Sequence, residues 1–316
     1  MSRHTAHFLT LLTAWMILCG CDRTAPEPPR SSDEPFILLT TFYPTLYFAQ
    51  RLAGEQVVVQ CPLPENADPI FWMPQDATID RYQKADLILL NGAGFEKWVR
   101  KVSLPQRTIV DTSSAFSGEF LHYEDAIVHV HGPSGSHDHS GLDGHTWLDP
   151  IQARLQAQAI RSALQKRLPQ HTQTFEKNYQ NLVADLDTLD SKLRSLADRY
   201  AAVPIFCSHP AFNYIGRRYG WTLQNLDLDP ETPPSADTIA KIRALQQKHP
   251  ARLLLWESQP TPEVEEILRT QLGLYSCTFS PCELLAPNPT EPDEDYMSVM
   301  HRNLKNLEKG YQRVTP

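Results

Sequence analysis

No stretch of the 316 residues is apolar for long enough to cross a bilayer, which takes about 20 residues, and the longest candidate, Phe8 to Leu18, falls well short. A basic excess is missing too. Lys and Arg number 29 against 37 Asp and Glu, a formal net charge of −8, and phosphate binding needs clustered cations, so nucleic acid is not the expected partner. No Cys-x-x-Cys spacing occurs, so a cysteine-rich zinc knuckle is not supported. HExxH, the mark of a zinc hydrolase, is absent, and so is a Ser-His-Asp pattern. Asn91-Gly92-Ala93-Gly94 matches neither glycine-rich phosphate signature. The chain is therefore not expected to be an enzyme, and no catalytic residue is assigned.

What is present begins with an export signal. Arg3 precedes the short apolar run, which ends in Cys19-Gly20-Cys21. Leu18-Cys19-Gly20-Cys21 resembles a bacterial lipobox, with residues 1–20 as signal peptide and Cys21 as the lipidated first residue of the mature chain. The body would then be soluble, held to a membrane only through its lipid. Residues 21–35 are rich in Pro and charge and read as a semi-rigid tether. Outside the cytoplasm the remaining cysteines, Cys61, Cys207, Cys277 and Cys282, are free to form disulfides, in a pairing the sequence leaves open.

From Phe36 onward, strand and helix patterns alternate. FILLTTF, VVVQ, DLILLNG and RTIVD read as strands, with YPTLYFAQRLAG, ATIDRYQKA and FEKWVRKV as helices between them. A second series follows: VPIFCSH, ARLLLWE and LYSCTFS as strands, AFNYIGRRYG, SADTIAKIRALQQK, PEVEEILRTQLG and Tyr296–Tyr311 as helices. Such alternation implies mostly parallel sheets. Between the two series Phe175, Tyr179, Leu182, Leu186, Leu189, Leu193 and Leu196 recur every three or four residues, the mark of one apolar helix stripe. From Thr172 to Tyr200 that helix would run about 43 Å. The expected fold class is thus α/β: two lobes, 36–168 and 202–316, joined by a long connecting helix, 169–201. A coiled-coil seam is the weaker alternative for that helix.

Ligands of open α/β sheets bind beyond the carboxyl ends of the strands. Those positions hold Ser208-His209-Pro210, Glu257-Ser258-Gln259 and Ser280-Pro281-Cys282-Glu283 in the second lobe. In the first they hold CPLPENADPIFWMP and a histidine-rich loop, 122–144, that runs into His145-Thr146-Trp147-Leu148-Asp149-Pro150. Five histidines fall between His129 and His145. His145 sits beside residues a fold can bury and reads as a fixed metal ligand, as does His209 after its apolar strand. His129 and His131, like His137 and His139, are two apart, so in extended chain each pair points one way and can grip a metal. An inert solvated loop is the alternative. Phe71 and Trp72 either line the cleft or belong to the core.

These residues carry a resemblance. TFYPTLYFAQRLAG, NADPIFWMP, ADLILLNGAGFEKW, HTWLDP, SHPAFNYIGRRYG, PPSADTIAKI, WESQP and YMSVMHRNLKNL together resemble the zinc/manganese class of substrate-binding lipoproteins of metal ABC transporters, the ZnuA-like periplasmic solute-binding proteins, over roughly residues 36–311. The resemblance implies two α/β lobes, a metal held between them by His and carboxylate ligands, and delivery to an ABC permease. It implies His145 and His209 as metal ligands. It also exposes two departures: Ile70 stands where the family has a histidine, and Ser280 where it has an aspartate. Asp68, Asp76, Glu257 and Glu283 are the carboxylates near enough in the pattern to compensate, with Glu257 and Glu283 foremost as additional ligands. Imidazole-rich donors favour Zn2+ over Mn2+. A monomer is expected. The competing reading is a metal-buffering or adhesive lipoprotein whose cleft site has degenerated.

Overall fold

A computed structural model describes residues 35–123, 127–130, 136–139, 141–284 and 294–315. The signal peptide, Cys21, tether residues 22–34 and His131 lie outside the described residues. The first lobe is built on β1 (Ile37–Thr40), β2 (Val58–Gln60), β3 (Leu87–Leu90) and β4 (Ile109–Asp111), all parallel, in the order β2-β1-β3-β4. Strand β3 is buried along its whole length, as an apolar run covered on both faces must be. Helices α1 (Tyr43–Ala53) and α2 (Asp76–Gln83) follow β1 and β2. Pro44 pre-sets the first turn of α1. FEKWVRKV is not the helix its pattern suggests but a short tight turn, Lys97–Lys101. Glu96 folds back onto the amides of Asn91 and Gly92 (2.6 and 3.3 Å), and Pro105 follows, leaving too few residues for α-helical hydrogen bonding.

Within the histidine-rich segment β5 (Ile127–Val130) pairs antiparallel with β6 (Ser136–His139), a pairing the sequence pattern did not announce. In its register His129 stands opposite His137, and His139 opposite Ile127. The ladder resumes nearer the body: His122 bridges Leu142, and the Tyr123 and Asp143 amides donate to Gly141 O and Leu121 O (3.0 and 2.8 Å).

Helix α3 (Pro150–Arg167) leads to the connecting helix α4 (Thr172–Arg199), about 42 Å long. All seven stripe residues of α4 are buried in one core with residues of both lobes, among them Leu38 and Phe48 of the first and Ile205, Leu253 and Tyr311 of the second. The stripe is a spine, not a coiled-coil seam. The second lobe has β7 (Ile205–Cys207), β8 (Leu223–Asn225), β9 (Leu253–Trp256) and β10 (Tyr275–Thr278), parallel throughout in the order β10-β9-β7-β8. β8 is the strand missed by the pattern, being three half-buried residues, LQN, at an edge. Helices α5 (Asn213–Tyr219), α6 (Ala236–Gln246), α7 (Pro262–Leu272) and α8 (Tyr296–Val314) complete the lobe. Gly273 ends α7 at φ 65°, the left-handed position that glycine occupies without a Cβ penalty. Cys61, Cys207, Cys277 and Cys282 are free thiols, so the permitted disulfides are not formed among them.

Candidate metal site between the lobes

Each residue of His145–Pro150 has a separate task. Pro150 opens α3, and Asp149 caps it by accepting from Ile151 N (2.9 Å). Asp149 also meets Arg218 of the second lobe at 3.3 Å. Trp147 is fully buried against Phe42, Phe95 and His145. Gly144, just ahead, leaves room for the Phe95 ring: a Cβ there would lie 2.8 Å from Phe95 Cδ2. Asn91, in the glycine-containing loop after β3, donates to Gly144 O (2.8 Å) and so seats the histidine segment on the end of β3.

His145 is completely buried. Its Nδ1 lies 2.8 Å from Asp143 Oδ1, which also accepts the His145 backbone N–H (3.0 Å). On the other edge, Nε2 lies 3.0 Å from Glu283 Oε1 of the second lobe, without hydrogen-bond geometry. Burial alone would push this imidazole down. The carboxylates of Asp143 and Glu283 outweigh that and hold its pKa at about 10. His209 follows β7 in extended backbone, and its Nδ1 lies 2.5 Å from Glu257 Oε1 at the end of β9. The two imidazole rings stand 6.3 Å apart, centre to centre. Burial raises the Glu283 carboxyl above its usual range, His145 pulls it back, and Glu257 and Asp68 push it up again.

His145, from the first lobe, and His209, Glu257 and Glu283, from the second, are thus brought together. Ile70, where the resemblance puts a histidine, is buried in the apolar core, and Asp68 is occupied in accepting from the Ile70 and Phe71 amides (2.8 and 3.3 Å). Phe71 packs on that core, and Trp72 lies against Trp98 (6.0 Å). Sequence reasoning missed Asp143, Tyr123 and Asn213. Tyr123 Oη stands 3.3 Å from Asp143 Oδ1, and Asn213 Nδ2 donates to Asp143 Oδ2 (2.9 Å) across the cleft. Only the spacing Asp-x-His hinted at the first. Among the described residues no set of three or more His, Cys, Asp and Glu side chains is already gathered as an ion would require. Rings sharing a tetrahedral zinc through bonds of about 2.0–2.1 Å would have centres about 5 Å apart. A shift of about 1 Å between His145 and His209 therefore separates this arrangement from a shared ion.

Beneath the histidine segment lies Glu96, which accepts from Thr41 Oγ1 (2.6 Å) as well as the two amides. Burial raises its carboxyl from 4.5 to about 7, against those three donors. The folded state therefore binds the proton more tightly than the unfolded one. The contribution of Glu96 to stability is greatest below pH 4.5 and is lost as pH rises towards about 7. Glu96→Gln, which cannot ionise, is expected to flatten that decline. Urea unfolding near about pH 4 and about pH 8 checks it; an equal slope in both proteins would assign the pH dependence elsewhere.

A family model described as ZnuA, zinc-uptake complex component A periplasmic, matches residues 38–310. The zinc-binding lipoprotein AdcA of Streptococcus pneumoniae is 27% identical over 305 residues, 95% of this chain and 60% of that one. This chain therefore spans under two thirds of that relative's length. The high-affinity zinc uptake system protein ZnuA of Bacillus subtilis is 26% identical, covering 92% of this chain and 91% of that one. Among solved structures, the Zn(II)-bound ZnuA-like domain of S. pneumoniae AdcA superposes with a TM-score of 0.75 at 25% identity, over 88% and 99% of the two chains. The metal-dependent lipoprotein YcdH of B. subtilis also has a TM-score of 0.75, at 24% identity over 87% and 98%, and shares the fold.

Proposed function

We propose that this chain, which belongs to the ZnuA family of periplasmic zinc-uptake components, captures zinc between its lobes and hands it to an ABC permease. The observation that carries this reading is the pair of carboxylates behind the imidazoles. Asp143 lies 2.8 Å from Nδ1 of His145 and holds a proton there, and Glu257 lies 2.5 Å from Nδ1 of His209, so zinc would displace the second proton of His145 and meet each ring at Nε2. His145 Nε2, His209 Nε2 and the Glu283 carboxylate then form the donor set. Glu257 orients His209 and is the remaining carboxylate close enough to supply a further oxygen. Imidazole donors favour zinc over manganese. The body acts as a monomer tethered by Cys21 and residues 21–35 at the outer face of a membrane, with lobes 36–168 and 202–316 on either side of the connecting segment 169–201.

The segment with His129, His131, His137 and His139 serves as an accessory collector, because the paired strands that carry His129, His137 and His139 are flanked in sequence by His122 and Leu142, which pair next to Tyr123 and Asp143 at the cleft. A chain lacking residues 129–139 is expected to keep one tight zinc while losing weaker, additional binding. Titration under zinc and manganese competition measures both. If the deletion removes the tight zinc, the cleft is degenerate and metal buffering, not delivery, is the function to assign.

A further inference from the structure

Ser280, read from sequence as a lost ligand, has a different task. Its N–H donates to Asn303 Oδ1 (2.9 Å), and its carbonyl accepts from Asn303 Nδ2 (2.7 Å). One amide side chain on α8 thus grips both faces of the Ser280 backbone. Its hydroxyl oxygen accepts the Cys282 N–H (3.2 Å), closing a turn in which Cys282 adopts φ 62°. That left-handed backbone is costly for a residue with a Cβ and persists only where its surroundings impose it. From the first lobe, Trp147 Nε1 donates to Pro281 O (2.7 Å) and Tyr43 N to Glu283 O (3.3 Å). Tyr296 Oη donates to the Trp147 carbonyl (2.9 Å), joining α8 to the same knot. Trp147, Asn303, Cys282 and Tyr296 are all buried.

We infer that Asn303 and Trp147 are positioning residues for metal capture: together they hold the turn Ser280–Glu283 so that the Glu283 carboxylate meets His145 across the lobes. Trp147 stands two residues after His145, and its partner Pro281 two before Glu283. One hydrogen bond therefore ties the ligand-bearing loops of both lobes together before metal arrives. Ser280 and Cys282 make the turn, Asn303 fixes it to the second lobe, and Trp147 sets its height against the first. The inference rests on the assignment of Glu283 as a ligand, and its test separates the two.

The experiment is a double-mutant cycle on the full chain, read as zinc affinity. Asn303→Ala and Trp147→Phe are each made alone and with Glu283→Gln, with thermal unfolding measured alongside. Each single variant is expected to weaken zinc about 10–100-fold, the range for residues that orient ligands. In the Glu283→Gln background the same changes are expected to cost less than about twofold, because the group they position is already gone. Equal losses in both backgrounds, or no loss in either variant, would overturn the inference while leaving Glu283 a ligand. Should Glu283→Gln itself leave zinc affinity unchanged, the ligand assignment fails and the positioning role with it. Failure of both single variants to fold would show a purely structural role and would also overturn it.

Discussion

Replacing both His145 and His209 with alanine is expected to abolish tight zinc binding while leaving the chain folded. Zinc held by a full set of protein ligands is worth about 10–16 kcal/mol, or roughly 2.5–4 kcal/mol for each of four donors. Each lost imidazole should then cost two to three powers of ten, and the pair about 10⁴-fold or more. His209 sits at the cleft wall, whereas removing the completely buried His145 ring leaves Asp143 without its partner and should also cost about 3–5 kcal/mol of stability. Zinc titration with a chelator of known affinity reads the loss, and thermal unfolding without metal confirms the fold. A double variant that still held one tight zinc would place the receptor site outside the cleft.

Asp143→Asn is expected to damage both binding and folding. Asp143 is completely buried and accepts on both oxygens: Oδ1 from the His145 amide and ring, Oδ2 from Asn213. An asparagine turns one of those acceptors into a donor facing a donor. Breaking a buried charged pair from one side costs about 3–5 kcal/mol. The His145 ring also loses the carboxylate that fixes its proton on Nδ1, which should weaken zinc about 10–100-fold. Denaturant unfolding and zinc titration test the two parts separately. An asparagine variant with unchanged affinity would mean that the Nδ1 contact does not orient the ligand.

Much of this was legible in the chain, and the pattern of misses has a physical cause. The stripe from Phe175 to Leu196 is local, and local periodicity reports burial faithfully; every one of its residues is in the core. The two histidines stood out because ends of apolar strands mark the mouths of α/β sheets. Glu257 and Glu283 stood at the same kind of position. Asp143 escaped notice because its importance comes from contacts with Tyr123 and Asn213, one of them 70 residues away. FEKWVRKV misled for a similar reason: its helical spacing is real, but Glu96 is drawn inward by the amides of Asn91 and Gly92. Ser280 looked like a deficit because only the family's ligand position could be compared; its partner, Asn303, lies 23 residues on in another helix.

The two sheets share one strand order. Reading β7 to β10 as first to fourth strands, β8-β7-β9-β10 repeats β2-β1-β3-β4. In such a sheet the crevice opens between the first and third strands, where successive connections leave in opposite directions. In the second lobe that crevice is flanked by His209 and Glu257, at the ends of β7 and β9. In the first, the equivalent place between β1 and β3 is filled by Thr41, Glu96 and Asn91, bonded to one another and to the Gly144 carbonyl. The same architectural opening is thus spent twice for different ends. One half of the chain uses it as a mouth, the other as a foundation that presents a neighbouring segment to that mouth. The division of labour is a property of the doubled plan: neither half, with its own crevice alone, assembles histidine and carboxylate from opposite directions.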